Sequence, residues 1–282
     1  YSKLTEEGYD CWKIPATMLW GAPGVGKSQG IKELAVKLEN KLNKKVVVTD
    51  VRLLLFNPID LRGIPVADKN NELAIWLKPK IFNMDESDSC INILFLDEIT
   101  AAPPSVQAAA YQIVLDRVVG EHKLPKNCIV VAAGNRALDK SISYNMPKAL
   151  ANRLMHFEIV ADIKSWLEWA IQNKINHKVV GFLNFRPDEL IDKEVSIEML
   201  AYATPRSWEM VSNILNYVND DVEKVFPMIE GIVGFEHANE FRQWAKIYSK
   251  LPNIKNIFEG NETKIPTANS ELFALISSMS EY

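Results

Sequence analysis

Residues 21–28 read Gly21-Ala22-Pro23-Gly24-Val25-Gly26-Lys27-Ser28 and match the pattern G-x-x-x-x-G-K-[ST]. Glycines in this pattern let the backbone curl so that its N–H groups point inward at phosphate oxygens. The lysine reaches the β- and γ-phosphates of a nucleotide, and the hydroxyl that follows can ligate Mg²⁺. The stretch therefore predicts a phosphate-binding loop, with residues 21 to 28 binding the nucleotide and Ser28 also a metal ligand.

The residues on both sides of this loop fit the strand and helix that such a loop requires. Thr17-Met18-Leu19-Trp20 is a short apolar run that ends at the first glycine. After the loop, apolar residues recur at helical spacing, namely Ile31, Leu34, Ala35, Leu38 and Leu42. The positive N-terminal end of this helix would face the bound anion.

Further apolar runs predict a parallel sheet in the first half of the chain. They cover residues 46–49, 91–96 and 128–133, and residues 156–160 are a candidate last strand. Continuous apolar runs are typical of strands that helices cover on both faces. The expected fold class is α/β, with a three-layer α/β/α core around a parallel sheet.

Beyond about residue 162 the pattern becomes helical. One apolar stripe contains Ile163, Trp166, Leu167, Ala170 and Ile171, and another contains Trp208, Val211, Leu215 and Val218. We expect a nucleotide-binding α/β domain over residues 1–161. A smaller helical lid domain with a C-terminal extension would occupy residues 162–282, and the last sixty residues carry no motif that we can interpret.

The composition is that of a globular chain and excludes few functions by itself. Of 282 residues, 48% are hydrophobic and 24% charged, and the net charge of −4 argues against nucleic acid or an anionic membrane as partner. No apolar run approaches the roughly 18 residues of a membrane span. Three scattered cysteines indicate a reducing compartment, and we expect a cytoplasmic protein. The four histidines lack metal-ligand spacing.

Two carboxylates and an amide follow predicted strands and are candidate catalytic groups. The run Ile93-Leu94-Phe95-Leu96 ends in Asp97-Glu98, and open α/β sheets bind ligands at the carboxyl ends of their strands. Asp97 can help to hold Mg²⁺, and Glu98 can polarise an attacking water. Asn135, after the run 128–133, could hydrogen-bond the γ-phosphate or that water. The alternative is that Asp97-Glu98 has no catalytic role and is the acidic start of a helix that follows the strand.

Two arginines are further candidate site residues. Arg153 precedes the candidate last strand. Arg206 falls in the first turn of a helix that begins at Thr204-Pro205. A cation at this end of a helix is unfavourable because of the helix dipole. Its presence there suggests that Arg206 faces an anion. The alternative for both is an ordinary surface or salt-bridged arginine.

These elements, in this order and spacing, resemble the AAA+ ATPases, and within them the MoxR-like branch that is grouped with the dynein-related ATPases. The more specific resemblance lies in the run from Asp97 to Ala109, Asp-Glu-Ile-Thr-Ala-Ala-Pro-Pro-Ser-Val-Gln-Ala-Ala, and its continuation to Leu115-Asp116-Arg117. Asn152-Arg153-Leu154 and Thr204-Pro205-Arg206-Ser207-Trp208 add to it. The resemblance covers about residues 14–220.

The resemblance implies a role for each candidate residue. Gly21–Ser28 would be the Walker A loop and Asp97-Glu98 the Walker B carboxylates. Asn135 would be sensor 1, Arg206 sensor 2, and Arg153 an arginine finger that acts on nucleotide held by a neighbouring subunit. Such a guanidinium is worth about 10³–10⁵ in rate in well-studied phosphoryl transfers. Arg117 and Arg136 are rivals of Arg153 for interface roles.

The function implied by the family is Mg²⁺-dependent ATP hydrolysis in a homo-oligomeric, usually hexameric ring that remodels a partner protein. Relatives often act beside proteins with a von Willebrand factor A domain. A nucleic-acid motor and a non-hydrolysing nucleotide switch or scaffold are the alternatives. The stretch 57–79 and a candidate hairpin at 118–124, with Gly120 at its turn, are candidate substrate-contact loops or plain connections. The sequence names neither partner nor ring size.

Overall fold

The computed structural model describes residues 11–136, 146–196 and 198–248, together with residues 3, 144, 251, 257–260, 266, 271, 272 and 275. The chain divides into two compact units, Tyr1–Ile159 and Val160–Tyr282. Most of the C-terminal extension expected from the sequence lies outside the described residues.

The first unit is built on a five-stranded sheet in which every pair of neighbouring strands is parallel. Its elements in chain order are β1 (Thr17–Trp20), α1 (Lys27–Leu42), β2 (Lys45–Arg52), α2 (Pro58–Arg62), β3 (Ile64–Ala67), β4 (Ala74–Leu77), β5 (Cys90–Asp97), α3 (Pro104–Asp116), β6 (Val118–Val119), β7 (His122–Lys123), β8 (Cys128–Gly134), α4 (Lys148–Ala151) and β9 (Met155–Glu158). The strand order is β2-β5-β8-β1-β9. The strands predicted from the apolar runs are all present.

Strand β5 shows why helices cover the sheet on both faces. All eight of its residues are buried, and successive side chains point to opposite faces of a strand. Ile91, Ile93 and Phe95 belong to the same buried cluster as the apolar face of α1. Leu94 and Leu96 belong to the cluster that contains the buried face of α3. The predicted three-layer α/β/α core is therefore confirmed.

The two candidate loops form hairpins that touch each other. Strands β3 and β4 pair antiparallel, and so do β6 and β7 on either side of Gly120. Gly120 has φ +60°, and a Cβ there would lie 2.4 Å from the Arg62 carbonyl oxygen at the end of α2. A ring nitrogen of His122 hydrogen-bonds the Trp76 carbonyl at 2.7 Å. The hairpin expected at 118–124 is confirmed, and its contact with the 57–79 stretch is a finding of the structure.

Aliphatic side chains around β3, β4 and α2 are exposed and surround a groove of about 410 Å³. Leu55 is 74% exposed, Ile64 57% and Leu77 53%. Scattered apolar residues are normal on a protein surface, whereas a cluster of this kind marks a surface that can bind a partner.

The second unit consists of helices around an aromatic core. Its helices are α5 (Ile163–Gln172), α6 (His177–Phe185), α7 (Pro205–Tyr217), α8 (Val222–Val233) and α9 (Phe235–Tyr248). Phe182, Trp208 and Phe241 are fully buried, with ring centroids 5.3 to 5.7 Å apart. No helix in the described part of the chain is long and apolar enough to cross a membrane.

The stripe predicted for α7 is confirmed, and that for α5 is wrong at one residue. Trp166 and Ala170 of α5 are buried, but Ile171 is 63% exposed. Ile171 comes five residues after Trp166, which places the two side chains about 140° apart around the helix. A stripe that includes both is wider than the face that this helix buries.

Candidate active site

The predicted phosphate-binding loop connects β1 to α1, as the sequence pattern requires. Gly24 and Gly26 have φ of +79° and +97°, a backbone region that side-chain-bearing residues rarely adopt. Gly26 stands at the N-cap of α1, and no described side chain caps that helix. The N–H groups of the first turn therefore remain available to an anion, and the helix dipole favours one there.

Gly21 is required by a close backbone approach. A Cβ at this position would lie 2.6 Å from the Ile159 carbonyl oxygen and 3.1 Å from the Val25 side chain. The Ile159 N–H donates to the Trp20 carbonyl at 2.7 Å. The chain that leaves β9 thus fixes the entry of the loop, and only glycine fits at that contact.

The Lys27 ammonium group lies across the loop. Its Nζ donates to the carbonyl oxygens of Gly21 at 2.6 Å and Ala22 at 3.0 Å, and to Oδ1 of Asn135 at 2.9 Å. The structure thereby brings together the lysine of the loop and the amide proposed to sense the γ-phosphate, although 108 residues separate them in the chain. The arrangement holds the cation where the loop N–H groups converge.

Ser28 and Asp97 form a pair of oxygen ligands. The Ser28 hydroxyl donates to Oδ2 of Asp97 at 2.8 Å, and Asp97 is only 8% exposed. Hydroxyl and carboxylate oxygens suit Mg²⁺, so these two residues fit the metal that the sequence implies. No cluster of three or more His, Cys, Asp or Glu residues within the described ranges could hold a metal ion by itself. A magnesium ion here would draw its other ligands from nucleotide phosphates and water.

Glu98 sits at a strained turn directly after β5. Its φ is +58°, in the left-handed region that non-glycine residues rarely occupy. The turn is held because its N–H donates to Oδ1 of Asp97 at 2.9 Å and its carbonyl accepts from the N–H groups of Ala101 and Ala102. The half-buried Glu98 carboxylate has no hydrogen-bond partner among the described residues. Backbone strain of this kind is typical of positions where a side chain must point at a substrate.

Thr100 positions Asn135, and the sequence analysis gave it no role. The Asn135 N–H donates to the Thr100 hydroxyl at 3.1 Å, and that hydroxyl lies 3.3 Å from the Asn135 carbonyl oxygen. Thr100 is 3% exposed. The only signal for Thr100 in the sequence is its place in the run 97–109, three residues after Asp97.

Replacing Gly134 by alanine should destabilise this side of the site. The added Cβ would meet the Thr100 side chain at 2.6 and 2.7 Å and the Met18 Sδ-methyl carbon at 2.9 Å, and overpacking of this kind costs about 1–3 kcal/mol. Urea unfolding of the variant would measure the loss. Gly231→Ala is the control, since a Cβ at that helical position meets no atom within 4 Å and should slightly stabilise the chain. Equal stability of Gly134→Ala and the parent chain would contradict the packing argument.

Arg153 is exposed. It lies near the end of the sheet where β1 and β9 begin, whereas the loop lies at the end where β1 stops. Met155, two residues later, pairs with Thr17 at the start of β1, while the loop follows the end of β1 at Trp20. At about 3.3 Å per residue, the length of β1 alone separates these two ends of the sheet by roughly 10 Å. The structure therefore does not bring Arg153 to the phosphate-binding loop of its own chain.

A histidine links the neighbourhood of Arg153 to the start of the loop. The Trp20 indole N–H donates to Nδ1 of His156 at 2.8 Å, and Nε2 of His156 hydrogen-bonds the Ala151 carbonyl at 2.8 Å. Trp20 directly precedes Gly21, and Ala151 precedes the turn that carries Arg153. Because Nδ1 accepts the indole hydrogen bond, Nε2 is the nitrogen that donates to the Ala151 carbonyl.

The two rival arginines have partners inside the first unit. The buried Arg117 guanidinium donates to the carbonyl oxygens of Ile14 at 2.9 Å and Cys128 at 3.3 Å. Arg136, directly after Asn135, forms an ion pair with Glu158 of β9. Arg117 therefore serves the packing of its own unit, and Arg136 ties the end of β8 to the edge strand.

Arg206 belongs to the second unit, at the second position of α7, and is exposed. The preceding Thr204 caps the helix by accepting from the Ser207 N–H at 3.0 Å, and the Thr204 N–H donates to the Ser207 hydroxyl at 2.7 Å. This reciprocal capping box satisfies two N–H groups at the helix start. It holds the backbone on both sides of Arg206, whose role as a sensor stays a prediction.

Comparison with known proteins identifies one family. The family described as "ATPase family associated with various cellular activities (AAA)" matches residues 16–156, which is half of the chain. The matched span contains the phosphate-binding loop, the two carboxylates, Asn135 and Arg153. No curated protein matches the chain.

Solved structures similar to the chain include three proteins of different organisms. A RuvB variant of Thermotoga maritima is 17% identical, with a TM-score of 0.46, and the match covers 99% of this chain and 77% of that one. PCH-2 of C. elegans is 17% identical, with a TM-score of 0.41, over 99% and 65% of the two chains. NtrX of Brucella abortus in complex with ADP is 14% identical, with a TM-score of 0.37, over 87% and 67%. The chain thus spans just under two thirds of the length of the C. elegans protein.

Proposed function

Because the chain belongs to the ATPase family associated with various cellular activities, we propose that it hydrolyses ATP with Mg²⁺ and that this cycle remodels a partner protein. The observation that carries the proposal is a set of two hydrogen-bonded pairs, Lys27 with Asn135 and Ser28 with Asp97. Lys27 and Ser28 are neighbours in the loop, and Glu98 directly follows Asp97. In this proposal residues 1–161 bind the nucleotide, and residues 162–282 form the lid.

The residues divide the chemistry between them. Bound ATP supplies the phosphoanhydride bond that is cleaved, and Mg²⁺ neutralises charge on its phosphates. Loop N–H groups and Lys27 bind the phosphates, and Lys27 exchanges the carbonyls of Gly21 and Ala22 for phosphate oxygens. Ser28 and Asp97 hold the metal. Glu98 accepts a proton from the attacking water, and Asn135 orients that water.

The position of Arg153 supports catalysis between subunits. It is exposed and lies near the end of the sheet where the strands begin, away from its own loop. A guanidinium there can stabilise γ-phosphate charge only on nucleotide held by another copy of the chain. We therefore propose a homo-oligomeric ring, with six subunits as the family default.

The partner is a protein in this proposal. The run 97–109 and the segments around Arg153 and Arg206 support a proposed membership of the MoxR-like branch, whose members often act beside a von Willebrand factor A domain. The exposed aliphatic groove between α2 and the β3–β4 hairpin provides a surface suited to an apolar segment of such a partner. The three cysteines are buried thiols, which suits the cytoplasm that we propose.

The test is ATPase rate against protein concentration for the parent chain and for Arg153→Ala, with mass photometry at each concentration. We expect the rate per subunit to rise as the chain assembles. It should fall by about 10³-fold or more in Arg153→Ala while the assembly persists. Arg136→Ala is the matched control, because its guanidinium already pairs with Glu158, and it should stay within a few-fold of the parent rate. A rate independent of concentration and of Arg153 would overturn the ring.

A further inference from the structure

His237, on α9 of the second unit, stands between two carboxylates. Its Nδ1 lies 2.5 Å from Oε2 of Glu189, and its Nε2 lies 2.8 Å from Oδ1 of Asp192. The side chains of His237, Glu189 and Asp192 are 16%, 10% and 18% exposed. Both ring nitrogens are thus committed to acceptors in a site largely shielded from water.

With both carboxylates ionised, this geometry favours a doubly protonated ring. A neutral imidazole has one N–H, so one of its nitrogens would present a lone pair to a carboxylate oxygen. Burial by itself would lower the pKa of His237, but the hydrogen bonds to Asp192 and Glu189 outweigh burial and raise the pKa above its ordinary value of 6.5.

A protonated His237 adds positive charge to a site where carboxylates outnumber the arginine. Arg186 pairs with Oε1 of Glu189 at 2.8 Å, and it also pairs with the more exposed Asp188 and Glu240. This one arginine cannot neutralise both carboxylates that face His237. A neutral His237 would leave an uncompensated charge in this site, which is costly.

Asp192 carries the effect of this charge to the start of α7. Its Oδ2 accepts from the Ala203 N–H at 2.7 Å, and its own N–H donates to the Ala203 carbonyl at 3.0 Å. Ala203 is buried and immediately precedes Thr204, the N-cap of α7. Two residues beyond that cap is Arg206. A continuous series of contacts therefore runs from the imidazole of His237, through Asp192 and Ala203, to the backbone that carries Arg206.

We propose that the imidazolium of His237 is a positioning residue, which clamps Glu189 to Asp192 and so fixes the first turn of α7 and Arg206. The catalytic consequence rests on the sensor role proposed above for Arg206, whereas the clamp itself does not. Because the charged form is favoured in the folded chain, its contribution to stability is complete below about pH 6.5. That contribution is lost as the pH rises through the raised pKa of His237. Alkaline pH should thus release the start of α7 before it affects the first unit.

The direct test is a pH titration of the 282-residue chain by ¹⁵N NMR of its four histidines. We expect His237 to titrate above 6.5. Asp192→Asn should lower its pKa, because the substitution removes one of the two carboxylates that stabilise the charged ring. His177 is the internal control, because burial outweighs Asp220 and lowers the pKa of His177. A His237 that titrates at or below 6.5 would overturn the clamp.

The catalytic arm compares ATPase pH profiles of the parent chain, His237→Gln and His177→Gln. For the parent and the His177 variant we expect kcat to fall as the pH rises through the pKa of His237, with KM for ATP little changed. His237→Gln should show the reduced kcat already at pH 6.5 and no such pH step. Identical profiles in all three would overturn the positioning role. Full activity of Arg206→Ala, with the NMR result intact, would instead locate the failure in the proposed sensor.

Discussion

Replacing Glu98 by glutamine should reduce ATP turnover by about 10²–10⁴-fold while nucleotide binding persists, because a general base contributes that much to proton transfer. Glutamine keeps the size of the side chain and suits the φ of +58° no worse than glutamate. The Glu98 N–H would still donate to Asp97, so the turn after β5 should survive. Single-turnover hydrolysis of ATP and titration with a fluorescent nucleotide would measure the two effects separately.

The control for this variant is Glu121→Gln. Glu121 is an exposed glutamate at the turn between β6 and β7. The Glu121→Gln variant should hydrolyse ATP at the parent rate. Rapid turnover by both the parent chain and Glu98→Gln would remove Glu98 from the mechanism. Negligible turnover by both would instead favour a nucleotide switch.

Replacing Lys27 by alanine should weaken nucleotide binding by roughly 10- to 150-fold, since a hydrogen bond to a charged group contributes about 1.5–3 kcal/mol. Turnover should be lost as well, because the ammonium group binds the phosphates whose charge changes in the reaction. The substitution also removes the donor that holds Oδ1 of Asn135 at 2.9 Å. Calorimetric titration with ATP, ADP and Mg²⁺ would give the Kd.

Lys32→Ala is the matched control for the Lys27 variant. Lys32 lies on the same helix, α1, and its side chain is exposed. Its removal should change the Kd by less than about twofold, as surface substitutions away from a site usually do. Circular dichroism of both variants would show that the fold is retained. Unchanged affinity in Lys27→Ala would mean that the loop binds no nucleotide phosphate.

The sequence predicts the parts of this molecule that depend on local pattern. The loop at 21–28 demands glycine where φ is positive, and the runs at 91–96 and 128–133 are apolar because helices cover both faces of their strands. The polar residues that follow β5 and β8 therefore had to lie near the loop. Such inferences need only the period of a strand and the parallel order of the sheet.

Contacts between distant segments could not be predicted in the same way. Nothing near Thr100 in the sequence indicates that its hydroxyl holds Asn135, because that contact exists only once β5 and β8 are paired. The pairing of His237 with Glu189 and Asp192 is equally invisible, since these residues come together only when α9 packs beside the segment before α7. The role of a histidine or threonine side chain depends on the groups that it contacts in the folded chain.

The placement of β1 has a consequence for how the chain acquires its structure during synthesis. Thr17 pairs with Val131 on one side and with Met155 on the other, whereas β2 pairs with β5, which is much closer in the chain. Pairing between distant segments is slow because a long loop must first be closed. On the ribosome, β2 and β5 can meet early, while β1 must wait for β8 and β9 to emerge from the exit tunnel. The most N-terminal strand of the sheet is thus among the last to find its place, and a nascent chain that stalls before residue 158 would expose an unpaired strand next to a loop that cannot yet close.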